Sequence, residues 1–122
     1  MTVPSALVLR SAQVLHGHQN TNNHNVYSLY VTDYTKNDRL APMTANWCSP
    51  SLSGYVLRME MWDEAKERAQ HMKAGEYYEF VNARMKESAG GHWEGRFVQG
   101  RKLRKLDEDE LEGEPHLTAL LE

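Results

Sequence analysis

Cysteine is almost missing from this chain. Cys48 is the only one in 122 residues, which excludes an internal disulfide framework and any cysteine-based zinc site. Long apolar runs are missing too. No stretch approaches the ~18 residues needed to span a membrane, and the opening MTVPSALVLR lacks a basic segment followed by a long apolar one. A soluble intracellular protein, or a piece of one, is therefore expected, with no membrane partner. Basic residues are absent from the end of the chain: residues 107–122 hold seven acids and neither Lys nor Arg, a balance of −7. All fourteen Lys and Arg lie in residues 1–106 against ten acids, a balance of +4, so the net −3 conceals a mildly basic body with an acidic end. Such a body can attract polyanions.

Motifs for catalysis are equally scarce. There is no glycine-rich phosphate loop, and SPSLSG lacks the strand–turn–helix setting of a nucleophile elbow. The six histidines are dispersed; His16 and His18 sit two apart with no third ligand near in sequence. Neither a metal, a cofactor nor an enzymatic activity is expected.

What is present is an ordinary globular composition, with 25% charged and 40% hydrophobic residues, sized for one domain. ALVLRSAQVL, residues 6–15, reads as a first strand, and HGHQNTNNHN, residues 16–25, as a loop rich in turn-forming Gly and Asn. NVYSLYVTDYTKN, residues 25–37, alternates with period two. Tyr27, Leu29 and Val31 share the inward face, while Tyr30, Thr32 and Tyr34 look outward. The proline-containing stretch 39–53 is irregular. GYVLRMEMW, residues 54–62, alternates again, with Leu57, Met59 and Met61 opposite Val56, Arg58, Glu60 and Trp62. DEAKERAQHMKAG, residues 63–75, reads as a helix with Asp63 as N-cap, Gly75 as stop and Ala65, Ala69 and Met72 as its apolar stripe.

Two more strands follow, about Glu76–Lys86 and Trp93–Leu106, joined by the hairpin loop ESAGGH. The apolar set of the first slips near Val81, as a bulge would make it do. The acidic end reads as a short capping helix with Leu111, Leu117, Leu120 and Leu121 packing back. The order β-β-β-α-β-β at this length suggests an all-β OB-fold, a five-stranded Greek-key barrel with a helix between strands 3 and 4. Residues 1–106 would form the barrel and 107–122 the tail.

Such a barrel offers a face across strands 2 and 3. Single-stranded nucleic acid needs rings for its bases and cations for its backbone. Tyr30, Tyr34 and Trp62 are candidate rings, with Tyr30 placed beside Trp62 on the next strand; Arg58, Arg84 and Lys86 are candidate cations. Asn82, His16, His18 and His92 are candidate hydrogen-bonding groups. Trp47, in the irregular stretch, suits either a loop anchor or a base-stacking ring. Tyr27, Tyr77, Tyr78, Phe80, Trp93 and Phe97 read as core.

LYVTDYTKNDRLAPM, then GYVLRMEMWDEAKERAQHMKAGEYYEFVNARMK, then GGHWEGRFVQG closely resemble the second OB-fold of fungal protection-of-telomeres proteins, the subunit of the telomere end-protection complex that binds single-stranded DNA. The resemblance spans about residues 6–106. It implies binding of the 3′ portion of a G-rich telomeric strand in the nucleus. By matching position it points to Tyr30, Trp62, Asn82 and Arg84, and to the region His16–Asn25. A family member also carries an N-terminal OB-fold and a C-terminal region for other telomere-complex subunits, so this sequence reads as an excised DNA-binding domain. It departs from relatives in the His- and Asn-rich loop and at Trp93, where the family often has a smaller or aliphatic residue. The remaining alternatives are a generic single-strand binder and a protein-interaction module in which the acidic tail and the 39–53 loop carry the contact.

Overall fold

The structure, a computed structural model, describes residues 11–32, 40, 42, 45–80, 84–88, 90–98 and 103–106. Tyr34, Asn82, the bulge near Val81 and the acidic tail lie outside them.

Alternating side chains in successive segments generate one sheet. Its strands are β1 (Ser11–Gln19), β2 (Val26–Thr32), β3 (Leu57–Trp62), β4 (Tyr77–Phe80), β5 (Arg84–Glu87), β6 (Trp93–Phe97) and β7 (Leu103–Leu106). A 3₁₀ turn (Pro50–Leu52) precedes β3, and one helix, α1 (Asp63–Ala69), follows it. The spatial order is β5-β6-β3-β2-β1-β4-β7. Among the described residues only the β3–β6 pairing is parallel. The architecture is thus mostly β with one helix between the third and fourth strands, as expected.

The strand count differs from the expected five because the two C-terminal strands are each divided between different partners. The segment 76–86 contains β4, which pairs with β1 and β7, and β5, which pairs with β6. The segment 93–106 contains β6, which pairs with β3, and β7, which pairs with β4. Among the described residues the sheet is open rather than a closed five-stranded barrel.

The inner face buries Ala12, Val14, Leu29, Val31, Leu57, Met59 and Met61 with Phe80, Phe97 and Leu103, and Ala65 and Ala69 of α1 complete this core. Met72 and Tyr27 pack against its edge. Phe80 and Phe97 meet edge to face at 5.7 Å, the arrangement the ring quadrupoles favour. The aromatic residues read as core occupy it: Tyr77, Tyr78, Phe80 and Phe97 are buried, and Trp93 and Tyr27 pack against the cluster.

Two local expectations are corrected. First, β1 continues to Gln19, so His16 and His18 are strand residues. A register shift between Val14 and His16 sends both histidines outward, and Gly17 faces in. A Cβ there would stand 2.7 Å from the Tyr27 ring, so any larger residue has to displace that ring. Second, α1 ends at Ala69 and its cap position is Trp62, with no side-chain cap. Asp63 is instead the first helical residue, at φ 49°, a left-handed conformation that Asp tolerates better than most residues and that turns the chain sharply out of β3. The Val98 carbonyl accepts from the Ala65 N–H at 3.1 Å and so meets one donor that a capping side chain would have met. Gly75, at φ 94°, lies beyond the helix and donates its N–H to the Val14 carbonyl, tying the turn to β1.

Candidate nucleic-acid interface

The outer face of the sheet is laid out by strand register. His16 on β1 lies opposite Tyr30 on β2, and Tyr30 opposite Arg58 on β3. In the next row His18 lies opposite Ser28 and Ser28 opposite Glu60. Beyond β3 the parallel partner β6 places Arg96 by Glu60, and β5 places Arg84 by Arg96 and Lys86 by Glu94. Rings therefore gather on β1 and β2, and charges on β3, β6 and β5.

Among the described residues the ring cluster has four members. His16 and His18 lie 5.9 and 5.5 Å from Tyr30 and 5.4 Å from each other, all tilted. Trp47 enters from the loop before β3, stacking on His16 at 4.9 Å with planes only 7° apart and meeting Tyr30 at 4.8 Å. Burial and the neighbouring His18 lower the pKa of His16, so the cluster favours the neutral imidazole in the unliganded protein. Tyr30 is half-buried, and its partner in parity, Thr32, is buried and donates to the Tyr55 carbonyl at 2.6 Å.

The charged half is largely self-compensated. Arg58 pairs with Glu94 at 2.9 Å and Glu60 at 3.4 Å and donates to the Ser28 hydroxyl at 3.1 Å. Partial burial works against its charge, but Glu94, Tyr30 and Glu60 together hold its pKa above the ordinary value. Lys86 pairs with Glu60 at 2.8 Å. Glu60 is likewise partly desolvated, yet Lys86, the Trp62 N–H and Arg58 keep its carboxyl below the usual range. Two of the three cations expected to neutralise a backbone thus already have carboxylate partners. Arg84 and Arg96, exposed and opposite one another, carry the like charges of this face.

Trp62 sits apart from Tyr30. It pairs with Val26 rather than with Tyr30, four residues along β3 from Arg58 and so roughly 13 Å away at strand rise. Its ring carries the Arg96 guanidinium at 4.8 Å, and its N–H donates to Glu60 at 3.4 Å. His92 lies in the β5–β6 turn, its backbone bonded in both directions to Ser88. The structure thus brings His16, His18 and Tyr30 together, joins Arg58 and Lys86 through carboxylates, and separates Trp62 and His92 from the ring cluster.

Sequence reading placed Glu60 on this face by parity but missed Arg96 and Glu94, because their neighbours are set by the parallel β3–β6 pairing of distant segments. The available signal was parity alone: Glu94 and Arg96 alternate with the buried Gly95 and Phe97. Among the described residues no three His, Cys, Asp or Glu side chains come together as a metal site would require.

No family model and no curated protein matches the sequence. Solved structures do match. Pot1pC of Schizosaccharomyces pombe, solved bound to the single strand CGGTTACGGT, superposes with a TM-score of 0.72 at 24% identity, over 99% of this chain and 94% of that one. Fission yeast Pot1, solved with single-stranded DNA, superposes with a TM-score of 0.73 at 24% identity, over 98% of this chain and 44% of that one. Across nearly its whole length, this chain has the fold of these Pot1 domains.

Proposed function

We propose that this chain binds G-rich telomeric single-stranded DNA, without chemistry, on the outer face of β1–β3, β5 and β6. The observation that carries the reading is the gathering of rings at one end of that face, Tyr30 with His16 and His18 within 5.4–5.9 Å of one another. Unstacked bases offer flat faces to such rings, and a phosphate backbone seeks cations beside them. The shared fold with two proteins solved with single-stranded DNA supports the same reading.

Bases stack on Tyr30 and, farther along, on Trp62. Arg84 and Arg96 take phosphates: like charges directly opposite cost stability, and an anion between them relieves that cost. Arg58 and Lys86 orient Glu60 and Glu94 on this face. Asn82, Tyr34 and His92 belong to the same proposal as base- or backbone-contacting groups. The binding unit is the OB-fold of residues 1–106, and residues 107–122 are its acidic tail. The site of action is the telomere in the nucleus, beside a neighbouring OB-fold and other telomere-complex subunits.

The test is a fluorescence anisotropy titration with labelled CGGTTACGGT and a scrambled strand of equal composition. Tighter binding of the first supports the reading. Equal binding makes the chain a generic single-strand binder, and no binding to either moves the face to protein interaction.

A further inference from the structure

We propose that Trp47 is a base-stacking residue that closes over a nucleobase, and that its stack on His16 holds the place of that base in the unliganded protein. The inference rests on the single-stranded DNA reading above and adds a residue and a movement to it.

The geometry separates Trp47 from the other rings. His16, His18 and Tyr30 stand on the paired strands β1 and β2, so their backbone positions are fixed by ladder hydrogen bonds. Trp47 stands on a turn. The Cys48 N–H donates to the Ala45 carbonyl at 3.1 Å, and the Cys48 side chain is buried, so the turn is pinned one residue past the indole. The indole's ring contacts are with His16 at 4.9 Å and Tyr30 at 4.8 Å. Rotation about its side-chain bonds moves the indole while Cys48 keeps the turn in place.

The contacts within the cluster point the same way. The His16–His18, His16–Tyr30, His18–Tyr30 and Tyr30–Trp47 pairs are tilted by 31–47°, whereas His16 and Trp47 are 7° from parallel. Parallel overlap is how a planar base lies on an aromatic side chain. A floor built on strands with a roof built on a turn, already parallel, admits a flat ring when the roof lifts by one ring thickness. The ligand class is a purine or pyrimidine base of a single strand; paired bases in a duplex do not present both faces. The competing role for Trp47 is a fixed anchor that only holds its loop on the sheet.

The experiment uses the whole 122-residue chain labelled with 5-fluorotryptophan, titrated with CGGTTACGGT and followed by ¹⁹F resonance, with the Trp47 signal identified by its loss in Trp47→Phe. The Trp47 resonance is expected to move on binding. Trp47→Leu, which keeps apolar bulk without a flat ring, is expected to weaken binding about five- to a hundredfold, the range for one lost base stack, while Trp47→Phe stays within about fivefold. If the unsubstituted chain binds the strand but its Trp47 resonance stays still, the inference fails and the DNA reading stands. Trp47→Leu binding as tightly as the unsubstituted chain overturns the inference as well, whatever the resonance does. Should Trp47→Leu not fold, the resonance in the unsubstituted chain decides. No binding by the unsubstituted chain removes both readings.

Discussion

Arg58 and Glu94, 36 residues apart in sequence, meet at 2.9 Å on the outer face of the sheet, because β3 and β6 run parallel as neighbours. The guanidinium nearest Tyr30 is thereby already neutralised. Any phosphate that approaches it competes with a carboxylate held in place by the sheet. Glu94→Gln is expected to release Arg58, tighten single-strand binding about three- to tenfold at 0.1 M salt and steepen the dependence of log K on log salt by about 0.7, one further phosphate for a single strand. Titrations at three salt concentrations check this; an unchanged slope would show that Arg58 stays engaged, by Glu60 or otherwise.

Protonation gives a second handle on the same face. The His16 pKa lies below its ordinary 6.5 because of burial and His18, so near pH 7.5 the imidazole is neutral. A bound phosphate backbone favours the charged form and raises that pKa, so binding takes up protons and affinity grows as pH falls. From pH 7.5 to 5.5 an increase of about two- to tenfold is expected, and His16→Gln should remove a large part of it. Equal pH profiles for the two proteins would place His16 away from the backbone.

Stability in acid turns on another carboxylate. Glu76 accepts from Lys105 at 2.7 Å, from the Lys73 N–H at 2.8 Å and from the Tyr78 hydroxyl at 3.0 Å. Led by the Lys105 bond, these lower its pKa from 4.5 to about 2. The folded state therefore binds this proton less readily than the unfolded chain. Its stabilisation is complete above pH 4.5 and is lost as pH falls towards 2. Glu76→Gln should be less stable at pH 7 and lose less on acidification, which urea unfolding at pH 7, 4 and 3 would show. Parallel losses in both proteins would contradict the linkage.

Packing is tested where β3 and β6 approach. A Cβ on residue 95 would stand 2.5 Å from the sulfur of the fully buried Met59, its register partner. Gly95→Ala should cost about 1–3 kcal/mol, because the methionine it displaces is fully buried. Urea unfolding measures it, and a loss below 0.5 kcal/mol, roughly the scatter of neutral surface changes, would mean that Met59 repacks freely.

Which of these features the sequence announces depends on the range of the interaction that creates them. Strict alternation in Leu57, Met59 and Met61 announces β3 at once, since a half-buried strand requires it, and Leu29 and Val31 mark the inner face of β2, although Ser28 and Thr32 on its other face are buried as well. The parity that sends Tyr27 inward and Tyr30 outward is legible for the same reason, and Tyr27 does pack against the core. His16 and His18 are not legible as strand residues. Gly17 and the following asparagines imitate a turn, and only the Tyr27 ring lying over Gly17 explains why glycine stands in a strand. Asp63 reads as a cap from its residue type, but the junction with β3 uses its tolerance of positive φ instead. The Arg58–Glu94 and Trp62–Arg96 contacts arise from pairing between remote segments, which no local pattern encodes. Trp47 reaches the ring cluster from a loop, and its position becomes visible only with the turn that carries it.

The most direct test of the ring cluster as a DNA-binding surface is the dissociation constant of Tyr30→Ala for CGGTTACGGT beside that of the unsubstituted chain, with folding checked by thermal unfolding. Losing one base–aromatic stack, roughly 1–3 kcal/mol, should weaken binding about five- to a hundredfold. Equal affinity of the two proteins, or no binding by the unsubstituted chain, would contradict it.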